Sequence, residues 1–262
     1  MPFKVRLDAL LAERGLFASR SRAAASVMAG EVRLADGRRA EKPGMLVAPD
    51  VDVAVDEAPA FVSRGGIKLA NALDAFALDV AGRHALDVGA STGGFTDCLL
   101  QRGAAHVVAL DVAYGELHWG LRNDPRVTVI ERANARALRR EDLPYAPDLI
   151  VADVSFISLT KVLPAVLGAA AERFDALVMV KPQFEVGRAK VGKGGVVRNA
   201  EDRRAALVAV ASSVDAAVLG FASSGLPGPK GNRETFVWLA EQGRPGLDAA
   251  GVAAAAEEVE AG

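Results

Sequence analysis

The sequence predicts a doubly wound α/β sheet preceded by a small α+β module, and three observations support this fold class. Short apolar strands alternate with helical stretches from residue 84 onward, which is typical of a mainly parallel sheet. A glycine-rich turn joins the first of these strands to the next helix within residues 86–100. Residues 1–42 hold nine Lys/Arg and five Asp/Glu, a local charge of 9 − 5 = +4, whereas the whole chain carries −2. The N-terminal part of the chain therefore differs from the rest in its positive net charge.

The first sixty residues are predicted to form a separate module of two helices followed by a small hairpin. RLDALLAERG places Leu7, Leu10 and Leu11 at helical spacing, and SRSRAAASVMAG begins at a good N-cap residue, Ser19. Residues 31–55 alternate apolar and polar positions around an Asp36-Gly37 turn. The second half is rich in cations, which form either an interaction surface or an ordinary solvated face: Arg20, Arg22, Arg33, Arg38, Arg39 and Lys42.

Residues 61–83 are predicted to contain the end of a linker and an amphipathic helix that carries Lys68. The predicted strands of the sheet domain, 84–242, are Ala85–Gly89, Val107–Val112, Val127–Ile130, Leu149–Asp153, Ala176–Val180, Ala216–Ser223 and Glu234–Ala240. The last two strands are expected to form an antiparallel edge. Residues 243–262 lack periodicity and are predicted to be a disordered acidic tail.

The turn G-A-S-T-G-G, from Gly89 to Gly94, predicts a binding site for an adenosine-containing cofactor. Glycines let the backbone turn tightly and approach a ligand closely. Asp111 ends the next strand, 111 − 89 = 22 residues after Gly89, and an acid at about this distance commonly accepts hydrogen bonds from ribose hydroxyls. The turn differs from the G-x-G-x-x-G pattern of nicotinamide enzymes, and the chain has no P-loop motif.

Two other strand ends carry opposite charges. Asp153 follows LIVA and Lys181 follows LVMV. A lysine at the end of a buried strand needs a partner, and Asp153 is the candidate. The pair is either a structural ion pair or part of a reaction centre, and its place beside a cofactor turn favours the second reading.

Residues 186–199 form a glycine-rich basic stretch that includes Arg188, Lys190, Lys193 and Arg198. The stretch is either a flexible surface loop or a loop that embraces a phosphodiester backbone.

Several classes of protein are disfavoured by composition. The sequence contains no run of about 18 uncharged apolar residues and no signal-peptide pattern, so a membrane protein is not expected. A single cysteine, Cys98, fits a reducing cytoplasm. His84, His106 and His118 show no metal-ligand spacing, so no metal is expected.

Taken in order, the motifs resemble one known family over roughly residues 4–240. RLDALLAERG, SRSRAAASVMAGEV and KPG resemble the RNA-binding module named after small-subunit ribosomal protein S-four. SRGGIKL, DVGASTGGFTDCLL, ALDVAYGELHW, VADVSFISL, VKPQFEVG and GNRETFVWL resemble the TlyA family, rRNA 2′-O-methyltransferases with an FtsJ-like, Rossmann-like domain. Some members of that family carry the label haemolysin.

The resemblance implies S-adenosylmethionine as cofactor, ribosomal RNA or ribosomal subunits as partner, and transfer to a ribose 2′-hydroxyl of cytidine. It implies the catalytic set Lys68, Asp153, Lys181 and Glu234, with Glu185 as a rival acid that fits the motif less well. The expected cofactor-binding residues are Gly89, Ala90, Ser91, Thr92, Gly93, Gly94, Phe95, Asp111 and, toward adenine, Asn134. The expected RNA-binding residues are Arg6, Arg20, Arg22, Arg33, Arg64, Arg188, Lys190 and Lys193.

Methyl transfer to a ribose 2′-hydroxyl requires that this poor nucleophile be aligned with the methyl group and that its proton be removed. Lys181 would either stabilise the developing alkoxide as an ammonium or accept the proton as a neutral amine. Two alternatives to this function are a membrane-active haemolysin and a ribosome-binding module without catalysis.

Overall fold

The computed structural model describes residues 4–28, 30–55 and 59–261, and the chain divides into two compact units at residues 59 and 60. Residues 56–58 of the predicted linker lie outside the described residues. The predicted segment 61–83 belongs to the second unit, whose first helix it contains.

The first unit packs two helices against two short strand pairs. The helices are α1 (Leu7–Glu13) and α2 (Arg20–Met28), and the strands are β1 (Val5–Arg6), β2 (Val32–Leu34), β3 (Leu46–Val47) and β4 (Val53–Val55). The apolar side of α1 forms the core with residues of α2 and β2: Leu7, Leu10, Leu11, Ala23, Val27 and Val32.

The predicted hairpin of the first unit forms around the Asp36-Gly37 turn, where Gly37 has φ +78°. The amide of Leu34 donates to the carbonyl of Arg38 at 2.8 Å, the amide of Ala40 donates to the carbonyl of Val32 at 2.8 Å, and Arg33 bridges to Arg39. In addition, β2 pairs antiparallel with β4, and β1 pairs with β3. The turn signal fixes a local reversal but not the more distant partner of a three-residue strand.

The second unit is built on a seven-stranded sheet in the spatial order β10-β11-β9-β8-β5-β6-β7. Its strands are β5 (His84–Val88), β6 (His106–Leu110), β7 (Val127–Ile130), β8 (Leu149–Ala152), β9 (Asp175–Val180), β10 (Ala217–Ser223) and β11 (Thr235–Ala240). Strands β5 to β9 are parallel, β11 is antiparallel to β9, and β10 is antiparallel to β11. The doubly wound fold class and the antiparallel edge are confirmed, with strand ends that differ from the prediction by up to two residues.

The strand order reverses between β5 and β8. The chain runs outward from β5 through β6 to β7 and then returns to β8 on the other side of β5. In open α/β sheets, ligands bind beyond the carboxyl ends of the strands at such a switch point. The site is therefore expected where β5 and β8 end.

Helices cover both faces of this sheet. They are α3 (Arg64–Phe76), α4 (Gly94–Gln101), α5 (Trp119–Arg122), α6 (Leu163–Gly168), α7 (Pro182–Glu185), α8 (Ala200–Ala211) and α9 (Ala249–Ala261). Alternate strand residues serve the two cores. Leu86 and Val88 pack in the core with α6, α8 and α9, while Ala85 packs in the core with α3 and α4.

The predicted disordered tail is wrong, because residues 249–261 form α9. Val252 and Ala256 of this helix are buried in the main core, and Glu260 forms an ion pair with Arg203 of α8 at 2.6 Å. Alanine favours a helix, but an alanine-rich segment shows no strong apolar stripe, so the sequence did not indicate which side of it packs against α8.

Among the residues that the structure describes, no helix is long and apolar enough to cross a membrane. The same part of the chain contains no group of three or more His, Cys, Asp or Glu side chains arranged to hold a metal ion.

Candidate active site

Strands β5 and β8 end in direct contact at the switch point. The amide of Asp153 donates to the carbonyl of Val88 at 2.9 Å, and Gly89 takes a left-handed conformation at φ +85°. A Cβ atom on residue 89 would lie 2.7 Å from the backbone oxygen of Asp153. Glycine is therefore required here for two reasons, its backbone conformation and its lack of a side chain. It allows Asp153 to reach the turn.

The turn after β5 is organised by Asp111, the residue that follows β6. One carboxylate oxygen of Asp111 accepts a hydrogen bond from the amide of Ser91 at 2.7 Å, and the other accepts from the amide of Ala113 at 2.8 Å. Carboxylate oxygens have further lone pairs, so both can still accept hydrogen bonds from a ligand. Gly93 closes the turn by donating to the carbonyl of Ala90 at 2.7 Å.

Two cavities meet at this turn, and both are lined by Gly89, Ser91 and Asp153. The larger one, of about 520 Å³, extends to Asp111 and Asn134 and is called the cofactor cavity below. The smaller one, of about 410 Å³, is lined on its other side by α3 and α4 and by predicted site residues, Arg64, Lys68, Ala90, Thr92, Gly94 and Phe95. Of the nine predicted cofactor residues, only Gly93 lies behind these walls, at the base of the turn.

A third cavity, of about 410 Å³, lies beyond β9 and is called the acceptor cavity below. Lys181 and Glu234 line it, together with Ser155, Phe156 and Gln183. Ser155 and Phe156 also line the cofactor cavity, so the two cavities share a wall.

The first ion pair of the site joins Lys181 to Asp153, as the sequence predicts. Lys181 Nζ contacts Asp153 Oδ1 and also donates a hydrogen bond to Ser155 Oγ at 2.9 Å. The pair is partly open: the side chain of Asp153 is 25% exposed and that of Lys181 is 12% exposed. The ion pair thus lies at the wall between the two cavities.

The second ion pair joins Lys68 of α3 to Glu234, the residue before β11. Both residues are buried, at 7% and 2% exposure. Lys68 reaches this position because α3 and α4 begin very close together: a Cβ atom on Gly94 would lie 2.9 Å from the amide nitrogen of Gly66. The four predicted catalytic residues are therefore brought together as two lysine–carboxylate pairs along adjoining cavities.

Glu185, the rival acid, has a different role. Its carboxylate accepts hydrogen bonds from Ser158 Oγ at 2.6 Å and from the amide of Leu159 at 2.9 Å. Burial raises the pKa of this carboxyl. The contacts tie α7 to the short 3₁₀ turn at Leu159–Lys161, which is a structural function.

Asp87, a buried acid beneath the turn, is not among the site residues predicted from the sequence. Its side chain is fully buried in β5 and accepts a hydrogen bond from Thr96 Oγ1 at 2.7 Å. Burial raises its pKa to about 7, and the charges of Asp153 and Asp111 act in the same direction. An acid within an apolar strand, LDV, was the available signal.

Asn232, which connects two loops at the acceptor cavity, is also absent from the predicted site residues. Its side-chain oxygen accepts from the amide of Val197 at 2.9 Å, and its side-chain nitrogen donates to the carbonyl of Gly195 at 2.8 Å. The asparagine lies two residues before Glu234 in the GNRETF motif, which marked its position but not its partners.

The predicted RNA-binding residues are placed in both units. In the first unit, Arg6 and Arg20 form ion pairs with the buried Asp8, at 2.8 Å and 3.2 Å, while Arg22 is exposed on α2 and Arg33 lies in β2. Hydrogen bonding from Arg6 lowers the pKa of Asp8 to about 2. Two of the predicted cations therefore have a local structural role.

In the second unit, Arg64 donates to the carbonyl of Pro227 at 3.0 Å at the wall of the smaller cavity. Arg188 and Lys193 are exposed, and Lys190 forms an ion pair with Asp202 at 2.7 Å. The basic loop is thus attached to α8 at Lys190.

A sheet of this order, with a cavity at the β5–β8 switch point and lysine–carboxylate pairs beside it, defines a Rossmann-like methyltransferase domain. Comparison with known proteins gives the same class: residues 61–241 match the FtsJ-like methyltransferase family, and residues 5–53 match the S4 domain. The chain belongs to the FtsJ-like methyltransferase family and carries an S4 domain at its front.

Close relatives cover nearly the whole chain. The 16S/23S rRNA (cytidine-2′-O)-methyltransferase TlyA of Mycobacterium tuberculosis is 51% identical over 257 residues, 96% of each protein. Hemolysin A of Brachyspira hyodysenteriae is 40% identical, over 74% of this chain and 81% of that protein. A solved structure from Streptococcus thermophilus, described as a candidate hemolysin, is 38% identical with a TM-score of 0.74, and the match covers 100% of this chain and 96% of that one.

Proposed function

We propose that this methyltransferase moves a methyl group from S-adenosylmethionine to the 2′-hydroxyl of a cytidine in ribosomal RNA. The observation that carries the proposal is the ammonium of Lys181, held by Asp153 at the wall between the cofactor cavity and the acceptor cavity. The family, and the reaction in the name of the Mycobacterium relative, support the same substrate class.

The cofactor cavity suits S-adenosylmethionine in size and in chemistry. Ligand pockets commonly measure about 300–1,000 Å³, and the cavity of about 520 Å³ has a carboxylate at its wall that can accept hydrogen bonds from a ribose diol, Asp111. S-Adenosylmethionine would supply a methyl group activated by a positively charged sulfur, with the neutral thioether as leaving group. Gly89, Ser91 and Asp111 would hold its adenosine part, and Asn134 would lie toward adenine.

Lys181 and Asp153 handle the charge and the proton of the acceptor hydroxyl. The ammonium of Lys181 stabilises negative charge as it develops on the 2′-oxygen, because a fixed cation in a partly dehydrated site acts strongly on such charge. Lys181 can pass one proton to Asp153 and take up the hydroxyl proton, so that the lysine stays charged and the carboxyl becomes neutral. Solvent then removes the proton from Asp153, whose side chain is partly exposed.

Lys68 and Glu234 support this reaction from the neighbouring walls. Their ion pair joins α3 to the start of β11, on opposite sides of the site. A buried pair that satisfies both charges holds two elements in one register, while the loss of either partner leaves an uncompensated charge. We therefore infer that this pair holds the wall of the acceptor cavity in place and contributes to the electric field around the hydroxyl.

The S4 domain and the basic loop of residues 186–199 are the proposed contacts to RNA. Exposed arginines such as Arg22 and Arg188 can neutralise phosphates, which supplies affinity without reading sequence. We expect the substrate to be ribosomal RNA or a ribosomal subunit, and therefore expect the enzyme to act in the cytoplasm.

The test is methyl transfer from isotopically labelled S-adenosylmethionine to separated small and large ribosomal subunits, followed by mapping of the modified nucleotide. We expect label at the 2′-oxygen of a cytidine. Lys181→Ala should lower the rate by about 10²-fold or more while cofactor binding, measured by calorimetry, remains. Lys161→Ala, which removes an exposed lysine of the 3₁₀ turn, is the matched control and should retain the wild-type rate. Failure of the wild-type protein to methylate either subunit or free rRNA would overturn the proposal.

The names of some relatives raise a second function, membrane damage, and a vesicle assay separates it from the first. We expect no release of dye from phospholipid vesicles at protein concentrations that give full rRNA methylation. Release by both wild-type protein and Lys181→Ala would show a membrane activity independent of methyl transfer.

A further inference from the structure

Lys181 is held by two acceptors, and only one of them belongs to the family's catalytic set. Its Nζ contacts Asp153 Oδ1 and donates to Ser155 Oγ at 2.9 Å. An ammonium has three N–H groups in fixed tetrahedral directions. One of them is directed at Ser155 Oγ, which limits rotation of the ammonium about the Cε–Nζ bond, while Asp153 attracts the ammonium as its ion-pair partner.

The register of the sheet, continued past the ends of its strands, relates Ser155 to Lys181. In the parallel pair β8–β9, Ala152 lies opposite Val178, an offset of 178 − 152 = 26 residues. The serine and the lysine have the same offset, 181 − 155 = 26, and their side chains are in contact. Just after the serine, Phe156 takes a left-handed backbone conformation at φ +65°. The backbone conformation therefore changes directly after the serine.

Ser155 also lies on the wall shared by the cofactor cavity and the acceptor cavity, and Lys181 lines the acceptor cavity. A lysine side chain is a flexible four-carbon stem, and a single ion pair leaves it free to rotate about the carboxylate. A hydrogen bond to Ser155 Oγ restricts that freedom. The other N–H groups then remain available to a hydroxyl in the acceptor cavity, which Lys181 lines.

We propose that Ser155 is a positioning residue that aims the ammonium of Lys181 at the acceptor oxygen. This inference rests on the proposed function, since it assumes that Lys181 acts on a hydroxyl during methyl transfer. The serine itself forms no bond with the methyl group and receives no proton. It acts on the transition state through the lysine, so its loss changes the rate of the chemical step and not the binding of either substrate.

The experiment measures single-turnover methyl transfer to the rRNA substrate for the wild-type protein, Ser155→Ala, Ser155→Thr and the control Ser158→Ala. Ser155→Ala should lower kcat by about 10- to 100-fold, since small misplacements of a reacting group have effects of this order. KM for RNA and the Kd of S-adenosylmethionine should stay within about threefold, because neither depends on the direction of the lysine N–H. Ser155→Thr keeps the hydroxyl and should restore most of the rate.

The control variant Ser158→Ala tests whether the loss of rate depends on the contact with Lys181. Ser158 lies in the same segment, but its hydroxyl contacts Glu185, so Ser158→Ala should keep kcat within about twofold. A wild-type kcat in Ser155→Ala, an equal loss of RNA or cofactor affinity, or no recovery in a folded Ser155→Thr would each overturn the inference. An inactive wild-type protein would instead refute the proposed function on which it rests.

Discussion

At the scale of single residues, the two lysine–carboxylate pairs differ mainly in how far they are removed from water. Lys68 and Glu234 are almost fully buried, whereas Asp153 beside Lys181 is partly exposed. An uncompensated buried charge is costly, while a partly exposed one can be hydrated. The same substitution in the two pairs should therefore have different consequences.

We predict that Lys68→Met lowers the free energy of unfolding by about 3–5 kcal/mol, because it leaves Glu234 buried without its partner. Lys181→Met should lower it by less, about 1–2 kcal/mol, because Asp153 Oδ1 is buried but the aspartate side chain as a whole is 25% exposed and can be hydrated. Urea denaturation of the two variants, followed by tryptophan fluorescence, measures the difference. Equal losses of stability would contradict the distinction between a buried and an open pair.

Asp87 makes the stability of the methyltransferase domain depend on pH. Its folded-state pKa of about 7 lies above the unfolded value of about 4. Between these values the folded protein holds a proton that the unfolded chain has released, so the contribution to stability is fully present below pH 4 and is lost as the pH rises through about 7. Asp87→Asn lacks this titration. We predict that the unfolding free energy of wild type relative to Asp87→Asn falls between pH 4 and pH 7.

The measurement is denaturant unfolding at several pH values for both proteins. Asp74→Asn is the matched control, because Asp74 is exposed and its pKa is lowered by Arg102, so the slope above pH 4 should be unchanged. Parallel stability curves for wild type and Asp87→Asn would refute the role of Asp87.

At the scale of elements, the site depends on how closely neighbouring strands and helices approach. Gly89 lets β5 end against β8, and Gly94 lets α4 begin against α3. These two contacts bring Asp153 and Lys68 to the same turn. The same close packing explains why the C-terminal residues fold as α9 against α8 and do not remain a free tail.

We predict that Gly89→Ala is more destabilising than Gly82→Ala, because the two glycines differ in their surroundings. Both have positive φ, +85° and +73°, but a Cβ atom at residue 82 would meet no atom within 4 Å, whereas at residue 89 it would lie 2.7 Å from the oxygen of Asp153. Gly82→Ala should cost about 1 kcal/mol from backbone strain alone. Gly89→Ala should cost at least about 2 kcal/mol and also reduce methyl transfer, as Asp153 is displaced.

Thermal unfolding and single-turnover rates of the two variants provide the comparison. A Gly89→Ala protein with the stability of Gly82→Ala and full activity would show that the β5 and β8 ends can separate without disturbing the site.

At the scale of the whole molecule, the chain combines two compact units with different charge and different chemistry. The cavities and both lysine–carboxylate pairs lie in the second unit, residues 60–262. The first unit contributes an exposed basic surface that includes Arg22. Cofactor binding and RNA binding should therefore be separable.

We predict that removal of residues 1–59 weakens rRNA binding by about tenfold or more, because exposed cations that can neutralise phosphates are lost. The Kd of S-adenosylmethionine should stay within about twofold, because none of the described residues of this unit lines the cavities at the turn. Gel-shift titration at fixed salt and calorimetry measure the two affinities. Arg22→Glu in the full chain should weaken RNA binding in the same direction. Arg204→Glu on α8, outside the predicted RNA-binding residues, is the charge-matched control. Unchanged RNA affinity after the deletion would exclude a docking role for the S4 domain.

The order of strands and helices, the glycine turn and the charged residues at the strand ends could all be predicted from the amino-acid sequence. These features are local: apolar periodicity, turn chemistry and a charge after a buried strand can be read within ten to twenty residues. Asp153 and Lys181 could be paired in advance because parallel neighbouring strands end at one edge of a sheet. Lys68 and Glu234 were predicted as site residues only from the resemblance to the TlyA family.

Contacts between residues that are far apart in the sequence became known only from the folded structure. The pairing of β2 with β4, the packing of α9, the burial of Asp87 and the contact of Ser155 with Lys181 all join residues whose separation in sequence carries no periodic signal. They depend on burial and register, which are properties of the packed sheet and its helices. For this reason the sequence predicted the candidate site residues, while the fold showed how their charges are paired.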